Sequence, residues 1–298
     1  MALLEEATPL AEAAGDYPLQ AELLRRRGGV RFTLGHADGE TCLFESLALA
    51  EAHGLIDHQI EALRDLSTVV RHRGATADAE RHIRRAIQLA ETHDRPAQLP
   101  RARSPLAMIL LDAGRPAEAR TLLEQCLEDY ADGSSRLQLG TVHNALAGTL
   151  RALGELEGAQ EHYWRAYTLY DEIGSELSAL PRYNVADMYF VEGRHEEARA
   201  LLDEAMTVLG ERPSTLMSSY VLSMLVSLDA EQRRLELLTP HVERLGEALE
   251  TGQLADRAVH TKLSQAQRLL HARPEGVDPA TLARLDGLVT LQETRLKG

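Results

Sequence analysis

The chain has 298 residues, 44% of them apolar but only 4% aromatic, and a formal net charge of −14. So acidic a chain repels polyanions, which argues against direct, sequence-independent binding of DNA or RNA. No apolar run reaches the length of a membrane span, and no cationic segment followed by an apolar one opens the chain, so it is read as cytoplasmic.

With one Trp and three Phe, the core must be built mainly from Leu and Ala. That favours close-packed helices over a large α/β enzyme core, and an all-α fold is predicted. Residues 1–16 are read as a lone helix, because Leu4 to Glu12 (LEEATPLAE) aligns with Ile83 to Glu91 (IRRAIQLAE), the second helix of a later repeat. This first helix is either a simple cap or part of a longer polypeptide.

From residue 17 to 211 the chain repeats itself. Gly74, Gly114, Gly154 and Gly193 stand 40, 40 and 39 residues apart. Five residues after each comes Ala79, Ala119, Ala159 or Ala198; four later comes Ile83, Leu123, Tyr163 or Leu202. Three further on the residue is small: Ala86, Cys126, Ala166, Ala205. Seven before each glycine stands Ser67, Ala107, Ala147 or Ala186, preceded by Leu66, Leu106, Leu146 or Val185. Offsets of three, four and seven put residues on one helix face. Small residues let two backbones approach, and the glycine ends the first helix of each pair in the left-handed conformation. Five such repeats are predicted, with first (A) helices at 17–34, 55–73, 95–113, 134–153 and 175–192. The first is degenerate: Gly35 lies 39 residues before Gly74, but Glu40 replaces the alanine and Gly28 the small helix residue. Residues 212–298 read as degenerate repeats and capping helices, near 213–228, 231–250, 253–272 and 279–296. There the turn glycine is lost, and Pro274, Gly276 and Pro279 mark the last turn.

This small–Gly–Ala–aromatic–Ala skeleton resembles the tetratricopeptide repeat (TPR). Its 40-residue period is similar to the longer variety found in kinesin light chains and in bacterial regulators. The stretch from Tyr183-Asn184-Val185-Ala186 through Gly193-Arg194-His195-Glu196-Glu197-Ala198 carries the likeness best. The resemblance implies a right-handed α-solenoid of antiparallel helix pairs, whose A helices line a concave groove. The predicted A helices sum to +5, and the second (B) helices with their turns sum to −15, so a mildly basic groove lies inside an acidic shell.

Groove candidates are A-helix residues away from the small packing positions: Arg64, Arg71, Arg101, Ser104, Asn144, Arg151, Tyr183, Asn184 and Asp187. The resemblance gives Asn184, two residues before Ala186, the role of holding the backbone of an extended peptide. An amide can donate to a peptide carbonyl and accept from its N–H together. Arg71 and Arg151, each three before a turn glycine, are placed to pair with carboxylates or to lie over a neighbouring helix.

Catalytic patterns are missing from the sequence. The twelve histidines form no HExxH, and no GxSxG appears. The one Gly-Gly pair, Gly28-Gly29, lacks the Lys-Ser/Thr of a phosphate loop. Cys42 and Cys126 have no metal-type spacing, and Cys126 takes the place of a small packing residue. The expectation is therefore a non-catalytic module, without cofactor or metal, that binds an extended acidic segment of a protein or peptide partner. Two alternatives stand beside it. One is the sensor arm of a larger bacterial signalling protein, an ATPase-linked transcription regulator or a nucleotide cyclase. The other is a small-peptide receptor.

Overall fold

Where the sequence repeats glycine, the backbone turns over. Gly74, Gly114, Gly154 and Gly193 have φ of 89°, 73°, 83° and 76°, a conformation that costs an L side chain about 1–2 kcal/mol. The residue after each then reaches back to a carbonyl five positions earlier. Ala75 donates to Val70 O (3.2 Å), Arg115 to Leu110 O (2.8 Å), Glu155 to Leu150 O (2.9 Å) and Arg194 to Tyr189 O (2.9 Å). These bonds satisfy carbonyls that the helix end would otherwise orphan. Pro116 opens the next helix after Gly114, where the missing N–H is not needed.

The computed structural model describes residues 2–34, 36, 38–130, 135–210, 216–251 and 256–297, with the side chains of 2, 3 and 297 left aside. Gly35 lies outside them. Among the described residues the chain is all-α, with fifteen α-helices and two short 3-10 turns. It divides into two compact units, 1–169 and 170–298.

The first unit runs α1 (Ala2–Ala14), α2 (Tyr17–Thr33), α3 (Gly39–Ala52), α4 (Ile56–His72), α5 (Thr76–Thr92), α6 (Leu99–Asp112), α7 (Pro116–Asp129), α8 (Arg136–Ala152) and α9 (Leu156–Asp171), the last crossing the boundary. The second holds α10 (Ala179–Val191), α11 (His195–Leu209), α12 (Leu216–Gln232), α13 (Leu235–Thr251), α14 (Arg257–Ala272) and α15 (Pro279–Lys297). In the first unit α2/α3, α4/α5 and α6/α7 pack as pairs and each pair stacks on the helix that follows; in the second α10/α11 and α12/α13 do so, with α14 laid on α12 and α15 on α13 and α14, so the fold is a helical-repeat solenoid.

Every small and apolar register residue predicted from the sequence is at most 4% exposed, from Ser67 and Ala79 to Val185 and Ala205. Cys126 packs there too, its Sγ 3.5 Å from Pro100 O, and burial pushes its thiol up to about 12. The second unit continues the pattern past the last glycine. Arg233, 40 residues after Gly193, adopts φ 57°, and Arg234 N donates to Asp229 O at 2.9 Å. The turn is thus kept without its glycine. The Arg233 guanidinium bonds the carbonyls of Arg273 and Glu275, which offsets the strain. Helix α12 has no wet face over residues 221–230. Its hydroxyls find carbonyls, Ser223 on Tyr220 (2.9 Å) and Ser227 on Lys262 (3.1 Å), as burial demands.

Candidate functional site

In the first unit the A helices α2, α4 and α6 are joined by a chain of alternating charge. Arg64 bonds Asp65 (3.0 Å), and Asp65 also receives Arg25 (2.6 Å). Arg25 lies 3.5 Å from Glu61, which Arg101 approaches at 3.7 Å. Burial alone would lower the Arg25 pKa. Asp65, then Glu22 and Glu61, outweigh it and hold the guanidinium above its ordinary value. Arg71 of α4 donates to Asp112 of α6 at 2.9 Å. The predicted candidates Arg64 and Arg101 therefore meet in one network, and Arg71 forms a second bridge between the same helices. Ser104, 6% exposed, is turned into the packing. Asn144 and Arg151 are half-buried on α8, and each takes part in polar contacts.

In the second unit, Tyr183, Asn184 and Asp187 are half-buried on α10. The Tyr183 ring lies 5.8 Å from that of Tyr220 on α12. Asp187 Oδ1 accepts from Lys262 Nζ of α14 at 2.7 Å, and the same ammonium sits 4.7 Å from the Phe190 ring centroid. A Lys over a ring face is held by the ring quadrupole as well as by the carboxylate. The A face of α10 is thus already engaged by helices of the C-terminal region.

Sequence reasoning passed over Arg25, Glu61, Asp65 and Lys262. For the first three a signal existed. Arg25 and Asp65 are 40 residues apart and Arg71 and Asp112 are 41, so opposite charges one period apart mark bridges between successive A helices. Lys262 and Asp187, 75 residues apart, follow no such spacing.

The histidine pair of α8 and α9 was also missed. His143 and His162 bring their Nδ1 atoms to 2.8 Å, so one ring donates to the other with a single proton between them. Burial, then His162, pushes His143 down to about 4, and burial, then Arg165, lowers His162. An unfolded histidine takes a proton near 6.5, whereas folded His143 resists until about 4. Its contribution to stability is therefore full above about pH 6.5 and is lost as pH falls toward 4. Allowing for partial exposure, the wild type is expected to lose about 1–2 kcal/mol more than His143→Asn across that window. Urea unfolding at the two pH values checks it, and equal losses would dismiss the assignment.

Among the described residues no helix is long and apolar enough to cross a membrane. No group of three or more His, Cys, Asp or Glu residues there is placed to hold a metal ion.

One tetratricopeptide-repeat family model matches residues 98–172 and another matches residues 179–204. No curated protein matches the sequence. Among solved structures, the chain is similar to a Rap protein complexed with competence and sporulation factor, at a TM-score of 0.64 and 14% identity, covering 93% of this chain and 76% of that one. It is similar to the apo form of RapI at a TM-score of 0.58 and 12% identity, covering 93% and 98%. A putative kinesin light chain of Podosopora anserina, with nearly identical TPR-like repeats, gives a TM-score of 0.50 and 16% identity, covering 68% and 98%. At these identities the likeness is one of fold. With the glycine-alanine register, the stacked helix pairs and the two family matches in agreement, residues 98–172 and 179–204 are tetratricopeptide repeats, and the chain shares the helical-repeat fold of tetratricopeptide-repeat proteins.

Proposed function

We propose that this protein is a non-catalytic interaction module whose A helices bind an extended segment of a partner protein. The observation that carries the reading is the half-buried row of polar side chains on successive A helices: Arg64 and Arg71, then Arg101, then Asn144 and Arg151. These groups hydrogen-bond and pair with charge, which is the chemistry of a peptide backbone and its carboxylates. The Arg71–Asp112 bridge has the most open carboxylate of these pairs, at 40% exposed, so an acidic segment can compete there for the guanidinium, and it is the segment chemistry we assign. On α10, Asn184 has the amide suited to holding a peptide backbone.

The test is affinity capture with wild type, Asn184→Ala and Arg151→Ala in parallel. A charge-assisted or backbone hydrogen bond is worth about 1.5–3 kcal/mol, so each variant is expected to retain a tenth or less of the specific partner. Partners captured equally by all three would remove the A-helix assignment.

A second reading has one observation behind it. The Rap protein that shares this fold was solved with competence and sporulation factor bound, which favours a small-peptide receptor as the alternative. Calorimetry with short synthetic peptides separates the two, since a scaffold requires a long segment or a folded partner. The same module could serve as the sensor arm of a larger bacterial signalling protein, in which a ligand would bias two arrangements of the array.

A further inference from the structure

Helix α9 carries a stripe that the repeat pattern does not use. Its packing face is Ala159, Tyr163 and Ala166, each at most 2% exposed. Beside that seam, Glu161 stands three and four residues before Trp164 and Arg165, and Thr168 four and three after them, so the four share one helix face. With Leu169 and His143 of α8 they line an open cavity of about 540 Å³, whose walls are mostly carbon. It is a shallow depression, open to solvent over most of its extent.

Two features hold the walls in place before any ligand arrives. Tyr167 meets Trp164 edge to face, with ring centroids 5.7 Å apart at 83°, which fixes the indole plane. His143 is held by the Nδ1 bond to His162 at 2.8 Å. Walls set in this way reduce the ordering cost of binding. Trp164 is half-buried, leaving part of the only tryptophan in the chain against the cavity. Large aromatic area beside a cavity is what flat apolar rings stack on.

Charge at the rim completes the description. Arg165 Nη2 lies 2.5 Å from Glu161 Oε1, with the two side chains 56% and 61% exposed. An exposed pair one turn apart is weak, so an incoming anion can take the guanidinium from Glu161. The two histidines, held in their neutral forms by burial, add no competing charge at neutral pH. From this geometry we propose that the cavity on α8 and α9 is a binding site for a flat aromatic anion, its ring against Trp164 and its carboxylate or sulfonate on Arg165.

The site does not depend on the peptide reading, and its test involves no peptide. Because Trp164 is the sole tryptophan, energy transfer from it to a dansyl group reports binding in its neighbourhood, and the Thr168→Tyr variant assigns that binding to this cavity. The probes are 5-dimethylaminonaphthalene-1-sulfonate and its neutral sulfonamide, titrated into the full chain. The expected result is saturable transfer, with the sulfonate binding about tenfold more tightly than the amide, the worth of one charge-assisted bond. Arg165→Gln should erase the difference between probes, and Thr168→Tyr, which fills the cavity from an exposed helix position, should abolish both. Unfolding midpoints of the two variants establish that each remains folded. Transfer that fails to saturate, or that survives Thr168→Tyr, would overturn the site. Equal binding of sulfonate and amide to the wild type would overturn the preference for an anion.

Discussion

Replacing Asp229 by alanine is expected to lower the stability of the second unit by about 3–5 kcal/mol. Asp229 is 0% exposed. One of its oxygens accepts from Arg199 Nη2 at 2.5 Å and the other meets His241 Nδ1 at 2.6 Å. The three residues come from α11, α12 and α13, so this carboxylate ties three successive helices together. Without it the Arg199 guanidinium, whose side chain is only 8% exposed, remains buried with no carboxylate in contact, Glu196 and Asp203 acting on it only from further off. Its Nε already lacks a hydrogen-bond partner, and Gln232 Oε1 at 3.1 Å supplies no charge. Asp203 is near enough to feel Arg199, but burial holds its carboxyl above the usual range, so ionising it as a replacement is itself unfavourable. Urea unfolding followed by circular dichroism gives the loss. The double variant Arg199→Met with Asp229→Leu should regain most of it, because an apolar pair of similar volume costs far less than an orphaned charge. A single variant as stable as the wild type, or a double variant no better than the single, would show that the pair does not hold these helices.

How far the sequence could be read is seen in residues 226–238. The repeat's turn glycine is missing there although helices near 213–228 and 231–250 are expected, and Arg233 takes the glycine's conformation in register. The pattern was legible wherever geometry demands one residue type, a missing Cβ at the turn or a small one at a helix crossing. It faded where a side chain such as Arg233 is held by its own hydrogen bonds. The candidate ligand face was less legible for a related reason. Helical spacing tells which face Arg64 or Arg101 occupies, but not that Asp65 beside Arg64 also receives Arg25 of α2, or that Glu61 of α4 faces Arg101 of α6, so the expected basic groove is internally neutralised around Asp65 and Glu61. The α9 cavity needs His143 and Trp164, from two helices, side by side, and neither residue breaks the repeat in a way that marks it.

The adjacent glycines of α2 are expected to respond to alanine with opposite signs. An alanine in a helix is favoured over glycine by about 1 kcal/mol, and at Gly29, where a Cβ would meet nothing within 4 Å, that gain should appear as increased stability. At Gly28 the same Cβ would stand 2.8 Å from the carbonyl oxygen of Gly39 and 2.8 Å from Leu43 Cγ. Gly39 is bound reciprocally, since its own Cβ would come within 2.8 Å of Gly28 O. This is the small-residue crossing of the first repeat, drawn so tight between α2 and α3 that even alanine is too large. Backbone carbonyls cannot swing aside as a side chain does, so the helices must part, at about 1–3 kcal/mol of overpacking. Steric cost outweighs the propensity gain, and Gly28→Ala should destabilise the first repeat while Gly29→Ala strengthens it. Hydrogen exchange resolves the site: amides of α2 and α3 should lose protection in the first variant and gain it in the second, with those of α7 and α8 unchanged. Faster exchange in both variants, or in neither, would mean that the two helices do not cross at this pair.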